Sequence, residues 1–193
     1  MELKREDLWS LEEYAAERES FRAMILKHKK SRQISLGPHA TLYFEDRLTM
    51  KYQVQEMLRV ERIFEPKEIE EELAAYNPLI PNGKNWKATF MIEYGDEEER
   101  RLALAKMGGI EETLWVQVGN GKKSYAITNE DMDRTRETKA AAVHFARFEL
   151  SYRDIESIKQ GGDLRFGLDH PSLATSVDLS SEERRALVAD IDL

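Results

Sequence analysis

Residues 113–128 read TLWVQVGNGKKSYAIT and carry the clearest signal of the fold. Thr113 to Val118 and Ser124 to Thr128 contain many β-branched and aromatic side chains, which favour strands. Gly119-Asn120-Gly121 lies between them and is typical of a tight turn that joins antiparallel strands. The segment therefore predicts a β-hairpin.

Other strands are predicted on both sides of this hairpin. Ala88 to Tyr94 and Leu164 to Leu168 predict two of them, and Ala140 to Leu150 predicts a long strand whose alanines also permit a helix. The polar residues from Asn129 to Arg136 predict a loop. Shorter strand candidates are Gln33 to Leu36, Thr41 to Phe44 and Ser172 to Val177.

Helices are predicted at both ends of the chain and between the strands. Ser10 and Glu13 have the spacing of a capping box and predict a first helix to about Lys29. Ser180 and Glu183 repeat that spacing and predict a terminal helix. No run of βαβ units is present, so we expect an α+β protein. We expect one domain over residues 1–193, with a largely antiparallel sheet, helices packed on it and a helical N-terminal part.

The composition excludes several classes of protein. The 193 residues include no Cys, which excludes disulfides, thiolate-bound metals and a cysteine nucleophile. The net charge of −8 argues against binding to nucleic acids or to anionic membranes, because phosphates would be repelled. No apolar run approaches the roughly 20 residues that span a bilayer, and the N-terminus lacks the apolar core of a signal peptide. We therefore expect a cytoplasmic protein.

The sequence has no established catalytic or cofactor motif. Its histidines form no HxxxH or HExxH pattern, and no glycine-rich phosphate or dinucleotide loop is present. The sequence therefore identifies no cofactor. A metal site assembled from distant residues, such as His39, Glu45 and His144, stays open as an alternative. For His144, a strand position with a satisfied ring nitrogen is the simpler interpretation.

The most informative segment is the helix that Asp46 is expected to cap and that runs to about Phe64. Apolar residues lie on one side of it, and the other side mixes a phenol, an amide, a carboxylate and two guanidiniums. Arginine forks match carboxylate or phosphate groups, so this side predicts an anion-binding site. The predicted ligand-binding residues are Tyr52, Gln55, Glu56, Arg59 and Arg62, with Glu45 and Arg47 at the helix entrance and His39 just upstream.

Two other interpretations of these residues stay open. Glu56 and Arg59 have the spacing of an ordinary ion pair on a helix surface, which would need no ligand. Alternatively, Glu45 or Glu56 would act as a general base with His39 as its partner in an enzyme. The basic residues from Lys27 to Arg32 are interpreted as a solvated helix end, where cations complement the helix dipole.

Four segments of the chain carry a resemblance to known sequences, and the most specific is GPHATLYFEDRLTMKYQVQEMLRVERIF, from Gly37 to Phe64. The others are LEEYAAERESFRAMIL in the first helix, YNPLIP at Tyr76 to Pro81, and LDHPSLATSVDLSSEERRALVADI near the C-terminus. In this order along the chain, these segments resemble a family of bacterial proteins known as domain-of-unknown-function family 3501. The family pattern has Glu-Asn-Arg where this chain has Glu45-Asp46-Arg47, and the aspartate keeps the helix cap while adding a charge.

The resemblance implies a single cytoplasmic domain of this length and no known reaction. Members of the family are encoded near rubrerythrin-like and iron–sulfur oxidoreductase proteins. That association implies an accessory role in redox metabolism, with a redox protein as a partner. We also expect a homo-oligomer, most simply a twofold dimer. Together the residues and the resemblance favour a non-catalytic accessory protein that binds a small anion.

Overall fold

The strands form two antiparallel sheets in the computed structural model, which describes residues 2–128, 130 and 140–192. The first sheet has the order β1-β2-β3-β7-β6. Its strands are β1 (Gln33–Ser35), β2 (Ala40–Phe44), β3 (Asn85–Ile92), β7 (Val143–Glu149) and β6 (Ile127–Thr128). The second sheet has the order β5-β4-β8-β9. Its strands are β5 (Ser124–Tyr125), β4 (Leu114–Val118), β8 (Leu164–His170) and β9 (Leu173–Asp178).

The main hydrophobic core lies between these two sheets. Alternate residues of β3 and β7 face it, as the period-2 geometry of a strand requires. Phe166 of β8 lies among side chains of the other sheet, with ring centroids 4.9 Å from Phe44, 5.2 Å from Phe148 and 5.8 Å from Trp86. Such offset and edge contacts add to the free energy of burial.

The predicted hairpin at 113–128 is present, but its second half divides between the sheets. Trp115 of β4 pairs with Tyr125 of β5, as predicted. Ile127 instead pairs with Arg147 of β7 in the first sheet. Ala126 marks the crossing point, where its N–H donates to the carbonyl oxygen of Leu114 at 2.8 Å. One continuous predicted strand therefore becomes two short strands that join the sheets at one edge.

Both predicted capping boxes are confirmed, at Ser10 and at Ser180. The helices are α1 (Leu11–Lys30), α2 (Arg47–Glu61), α3 (Pro66–Tyr76), α4 (Glu97–Leu104), α5 (Tyr152–Lys159) and α6 (Ser181–Val188). The first three form a helical layer with two further apolar clusters, one that includes Met50, Leu58 and Leu73 of α2 and α3, and one of Tyr14, Phe21 and Ile25 of α1. Helix α6 contributes Leu187 to the main core, where the Leu187 carbonyl accepts a hydrogen bond from the Trp86 indole at 2.7 Å.

The α+β class, the antiparallel pairing and the helical N-terminal part are confirmed. The strands form two sheets where the sequence predicts one, because β5 pairs with β4 whereas β6 pairs with β7. Ala140 to Leu150 contains the strand β7, so the helical alternative is wrong. The predicted loop from Asn129 to Arg136 lies outside the described residues, apart from Glu130. Among the helices that the structure describes, none has the length and apolarity to cross a bilayer.

Candidate functional site

The polar side of α2 is organised around Glu56. Its carboxylate accepts hydrogen bonds from the Tyr14 hydroxyl at 2.6 Å and from Nε and Nη2 of Arg18 at 2.8 and 3.0 Å. Arg59 Nη2 adds a longer contact of 3.3 Å. These bonds, led by those from Arg18, lower the pKa of Glu56 to about 2. Burial and then the Glu56 carboxylate raise the pKa of the Tyr14 phenol. The carboxylate therefore fastens α1 to α2.

Gln55 and Tyr52 also have internal partners. Gln55 is fully buried; its Oε1 accepts from the Trp9 amide at 2.7 Å and its Nε2 donates to the Trp9 carbonyl at 3.4 Å. The Tyr52 ring lies 5.8 Å from the Phe21 ring in an edge contact. The sequence predicts that the side-chain amide of Gln55 orients a ligand. In the structure this amide instead binds the backbone of Trp9, just before α1.

Arg62 ends α2 in the left-handed conformation, with φ at 57°, and both it and Arg59 are exposed. Five clefts lie among residues 2–128, 130 and 140–192 at other places on the surface, and none of these five is lined by the polar side of α2. The interpretation of Glu56 and Arg59 as an ion pair of the helix surface therefore accounts for their geometry.

Glu45 and His39 lie at opposite ends of β2. The Glu45 carboxylate is buried and accepts from the hydroxyls of Thr49 at 2.7 Å and Thr89 at 2.9 Å. His39 Nδ1 lies 3.0 Å from the Glu93 carbonyl oxygen, and its ring stacks on another aromatic ring, that of Tyr94. The strand between them spans about 20 Å. The proposed acid–base pair of His39 with Glu45 is therefore not brought together, since proton transfer needs contact near 3 Å.

His144 is in β7 and fully buried, with Nε2 2.9 Å from the Ala141 carbonyl oxygen. The strand position and the satisfied Nε2 agree with the prediction, whereas the buried Nδ1 has no hydrogen-bond partner among the described residues and lies 3.8 Å from the Glu111 carboxylate. In the part of the chain that the structure describes, no group of three or more His, Asp or Glu side chains is arranged to hold a metal ion. The structure therefore does not assemble the site suggested for His39, Glu45 and His144.

A cleft of about 640 Å³ lies where the end of α1, the start of α2 and the C-terminal helix α6 meet. Three arginines and three acidic residues line it, so their formal charges balance at neutral pH. Its ionisable lining residues are His28, Arg32, Asp46, Arg47, Glu182, Arg185 and Asp190.

Arg32 lies beneath this cleft and is only 3% exposed. Its guanidinium donates to the carbonyl oxygens of Phe44 at 3.2 Å, Ala186 at 3.1 Å and Glu45 at 3.1 Å. It also donates to the carboxylate of Asp190. Arg32 therefore joins β2 and α6 through internal partners. The interpretation of residues Lys27 to Arg32 as a solvated helix end is wrong for this residue.

Asp46 and His28 form the second charged contact of the cleft. His28 Nε2 lies 2.6 Å from Asp46 Oδ2, and Asp46 Oδ1 caps α2 by accepting from the Thr49 amide at 2.8 Å. Arg32 Nε lies 3.4 Å from Asp46. Burial acts to raise the pKa of Asp46, but Arg32, the Thr49 amide and His28 outweigh it and hold that pKa below its usual value.

Asp190 has the opposite shift. Burial is the largest cause and raises its pKa to about 6; Arg32 opposes this shift, and the negative charge of Asp46 adds to it. The side chain is 10% exposed. Two carboxylates thus share one guanidinium, and the one at the C-terminal end holds its proton more strongly.

Arg47 and Arg185 line the cleft, and each has guanidinium N–H groups without a hydrogen-bond partner among the described residues. Arg47 Nη2 pairs with Asp7 Oδ1 at 2.6 Å, whereas its buried Nε has no hydrogen-bond partner among the described residues. Arg185 is exposed, and its side chain forms no hydrogen bond or ion pair with the residues that the structure describes. Of the eight residues predicted from the sequence, Arg47 is the one that lines this cleft.

Sequence reasoning missed the residues around Arg47. Asp190 contacts Arg32 across 158 positions, so no local pattern connects them. The sequence predicts Asp46 as a helix cap, which the structure confirms, but it does not predict the contacts of Asp46 with His28 and Arg32. No helical spacing connects His28 and Arg32 either, because α1 ends at Lys30 and Arg32 lies beyond it.

The comparisons with known proteins agree with the resemblance in sequence. The model of a family described as "Protein of unknown function (DUF3501)" matches residues 2–191. A crystal structure of a novel protein of unknown function from Burkholderia pseudomallei K96243 is 42% identical, and the match covers 100% of each chain with a TM-score of 0.93. The search of curated proteins gave no match. The chain therefore belongs to the DUF3501 family of proteins of unknown function.

Proposed function

We propose that this protein binds a small anionic ligand in the cleft between α1, α2 and α6 and does not transform it. The observation that carries the proposal is the pair of arginines on two walls of the cleft. Arg47 comes from the first turn of α2, and Arg185 comes from α6. Guanidiniums from two elements can hold a carboxylate, sulfate or phosphate group through several charge-assisted hydrogen bonds.

The incomplete hydrogen bonding of Arg47 supports this site. A buried donor without a partner costs about 1–3 kcal/mol, and an anion oxygen reached by a turn of the guanidinium would remove that cost. Arg185 adds a positive charge that no described carboxylate neutralises by contact. The cleft volume of about 640 Å³ is in the range of small-molecule sites.

Arg59 and Arg62 are weaker candidates for the anion site than Arg47 and Arg185. The Glu56 carboxylate already pairs with Arg18 and Arg59, so an added anion would compete with this carboxylate for the Arg59 guanidinium. Of the ligand-binding residues predicted from the sequence, Arg47 is the one that belongs to the proposed site. The twofold oligomer, the redox-protein partner and the cytoplasmic location stay predictions.

A titration with sulfate, followed by amide chemical shifts at pH 5.5 and low ionic strength, tests the proposal. We expect saturable shifts in residues 46–48 and 182–190. Arg185→Gln should weaken sulfate binding by about tenfold or more, because a charge-assisted hydrogen bond is lost. Arg47→Gln should act in the same direction, although it also removes the contact with Asp7.

Arg62→Gln is the matched control, because Arg62 is an exposed arginine of α2 outside the cleft. It should leave the sulfate affinity unchanged. Shifts confined to the end of α2 and lost in Arg62→Gln would contradict the cleft as the site, and so would the absence of saturable shifts in the wild-type protein.

A further inference from the structure

The position of Asp190 beneath the arginine-lined cleft has a consequence for the ligand. We infer that anion binding in this cleft is linked to protonation of Asp190, so that the protein binds anions more tightly in acid than in alkali. This inference rests on the proposed function and adds the regulation of the same site. It follows from the arrangement of charges around the Asp190 carboxylate.

Arg32, Asp46 and His28 are the charged groups that act on the Asp190 carboxylate, and further charged groups line the cleft from the surrounding helices. Helix α1 and its end contribute His28 and Arg32, and the start of α2 contributes Asp46 and Arg47. Helix α6 contributes Glu182 and Arg185, whereas the lining residues of the segment before β3, Ile80 and Pro81, carry no charge.

The cation closest to Asp190 is already shared. Arg32 donates to Asp190 and lies 3.4 Å from Asp46, so one buried guanidinium serves two carboxylates. A bound anion would bring a third negative charge close to the same group. Because Arg32 and Asp190 are themselves nearly buried, a further negative charge beside them makes it costly for all the carboxylates to stay ionised.

Protonation of Asp190 removes one of these negative charges and so lowers the electrostatic repulsion. Asp46 caps α2 and contacts His28, which stabilise its ionised form. Asp190 has Arg32 as its ionic partner, is nearly buried, and has a pKa of about 6 in the free protein. An anion in the cleft would raise that pKa further, and by linkage the proton would strengthen anion binding equally.

Sulfate is the probe for the test, because it stays a dianion between pH 5 and pH 8. We expect the sulfate Kd of the wild-type protein to be about tenfold lower at pH 5.5 than at pH 8, as one closely coupled proton gives. Asp190→Asn should bind sulfate at both pH values with the wild-type affinity seen at pH 5.5. Glu19→Gln, at an exposed position of α1 outside the cleft, should keep the wild-type pH dependence.

A second measurement avoids variants altogether. The carboxyl carbon resonance of Asp190 in the wild-type protein, followed by NMR against pH, should titrate at a higher pH when sulfate is present. This experiment keeps the inference testable even if Asp190→Asn does not fold.

The outcomes separate the two proposals. An equal Kd at pH 5.5 and pH 8, with binding still dependent on Arg185, would overturn the proton linkage and leave the anion site intact. A pH dependence that persists in Asp190→Asn and disappears in His28→Asn would overturn the assignment to Asp190. No binding at any pH would overturn the anion site itself.

Discussion

Arg32 and Asp190 are 158 positions apart in the sequence, and their side chains form an ion pair beneath the cleft. Arg32 lies between α1 and β1, and Asp190 follows α6, so the pair connects the N-terminal helical layer to the C-terminal end of the chain. Arg32 also donates to three carbonyl oxygens from β2 and its end and from α6. Both the stability of this junction and the charge of the cleft therefore depend on one guanidinium.

Replacing Arg32 should destabilise the protein strongly. Arg32→Met fills similar volume but leaves Asp190 and Asp46 without their shared cation and leaves three carbonyl oxygens without a donor. Removal of one partner from a buried ion pair costs about 3–5 kcal/mol. Urea unfolding measures the change. Arg62→Met at an exposed position serves as the control and should change the free energy of unfolding by less than about 0.5 kcal/mol. A similar small change for Arg32→Met would refute the role of Arg32 at this junction.

Asp190 should make the protein less stable as pH rises. Its pKa in the folded protein is about 6, above the ordinary value of 3.8, so the folded state holds the proton more tightly than the unfolded chain. The favourable contribution is present in acid and is lost as pH rises through about 6. Between pH 4 and pH 8, wild type should lose roughly 2 kcal/mol relative to Asp190→Asn. Unfolding curves of both proteins at these pH values test the sign, and a loss in the opposite direction would contradict it.

Glu56 should have the reverse pH dependence. Its folded pKa of about 2 lies below the ordinary value of 4.5, because Arg18, Tyr14 and Arg59 stabilise the carboxylate. The stabilisation is present above about pH 4.5 and is lost as pH falls toward 2. Glu56→Gln should therefore be less stable than wild type at pH 7 and should approach it in acid. Thermal unfolding at pH 7 and pH 3 measures this. A difference that stays constant between the two pH values would show that the carboxylate charge has no part in joining α1 to α2.

Gly167 should not tolerate a side chain. A Cβ atom there would lie 2.3 Å from an atom of the Trp115 ring and 2.7 Å from the Thr175 carbonyl oxygen. Gly167→Ala must therefore displace the ring or the β8–β9 pairing, and overpacking of this kind costs about 1–3 kcal/mol. Gly95→Ala is the control, since a Cβ atom added at Gly95 would meet no atom within 4 Å beyond its chain neighbours. Calorimetry should show a lower melting temperature for Gly167→Ala than for Gly95→Ala. Equal melting temperatures would contradict the prediction and show that Trp115 moves without a loss of stability.

The local elements could be predicted from the sequence because their causes are local. Ser10 and Ser180 cap helices through groups three residues away, and Asp46 caps α2 in the same way. The ion pair of Glu56 with Arg59 follows from helix geometry. The crossing at Ala126 could not be predicted, because residues on either side have strand propensity and pairing partners are set by tertiary contacts.

The candidate site could not be predicted for a related reason. Nothing in the basic run before β1 distinguishes Arg32, which is buried, from its solvated neighbours. Gln55 looked like a group for ligand orientation and is instead bound to the backbone of Trp9. Arg47 follows the predicted helix cap directly, and this position at the start of α2 brings it to the cleft.

A selenate soak of crystals at pH 5.5, with the anion located by its anomalous scattering, tests the anion site most directly. We predict one selenate in the cleft, within hydrogen-bonding distance of the guanidiniums of Arg47 and Arg185. Selenate beside Arg59 and Arg62 with an empty cleft, or no ordered selenate at any concentration, would contradict the account.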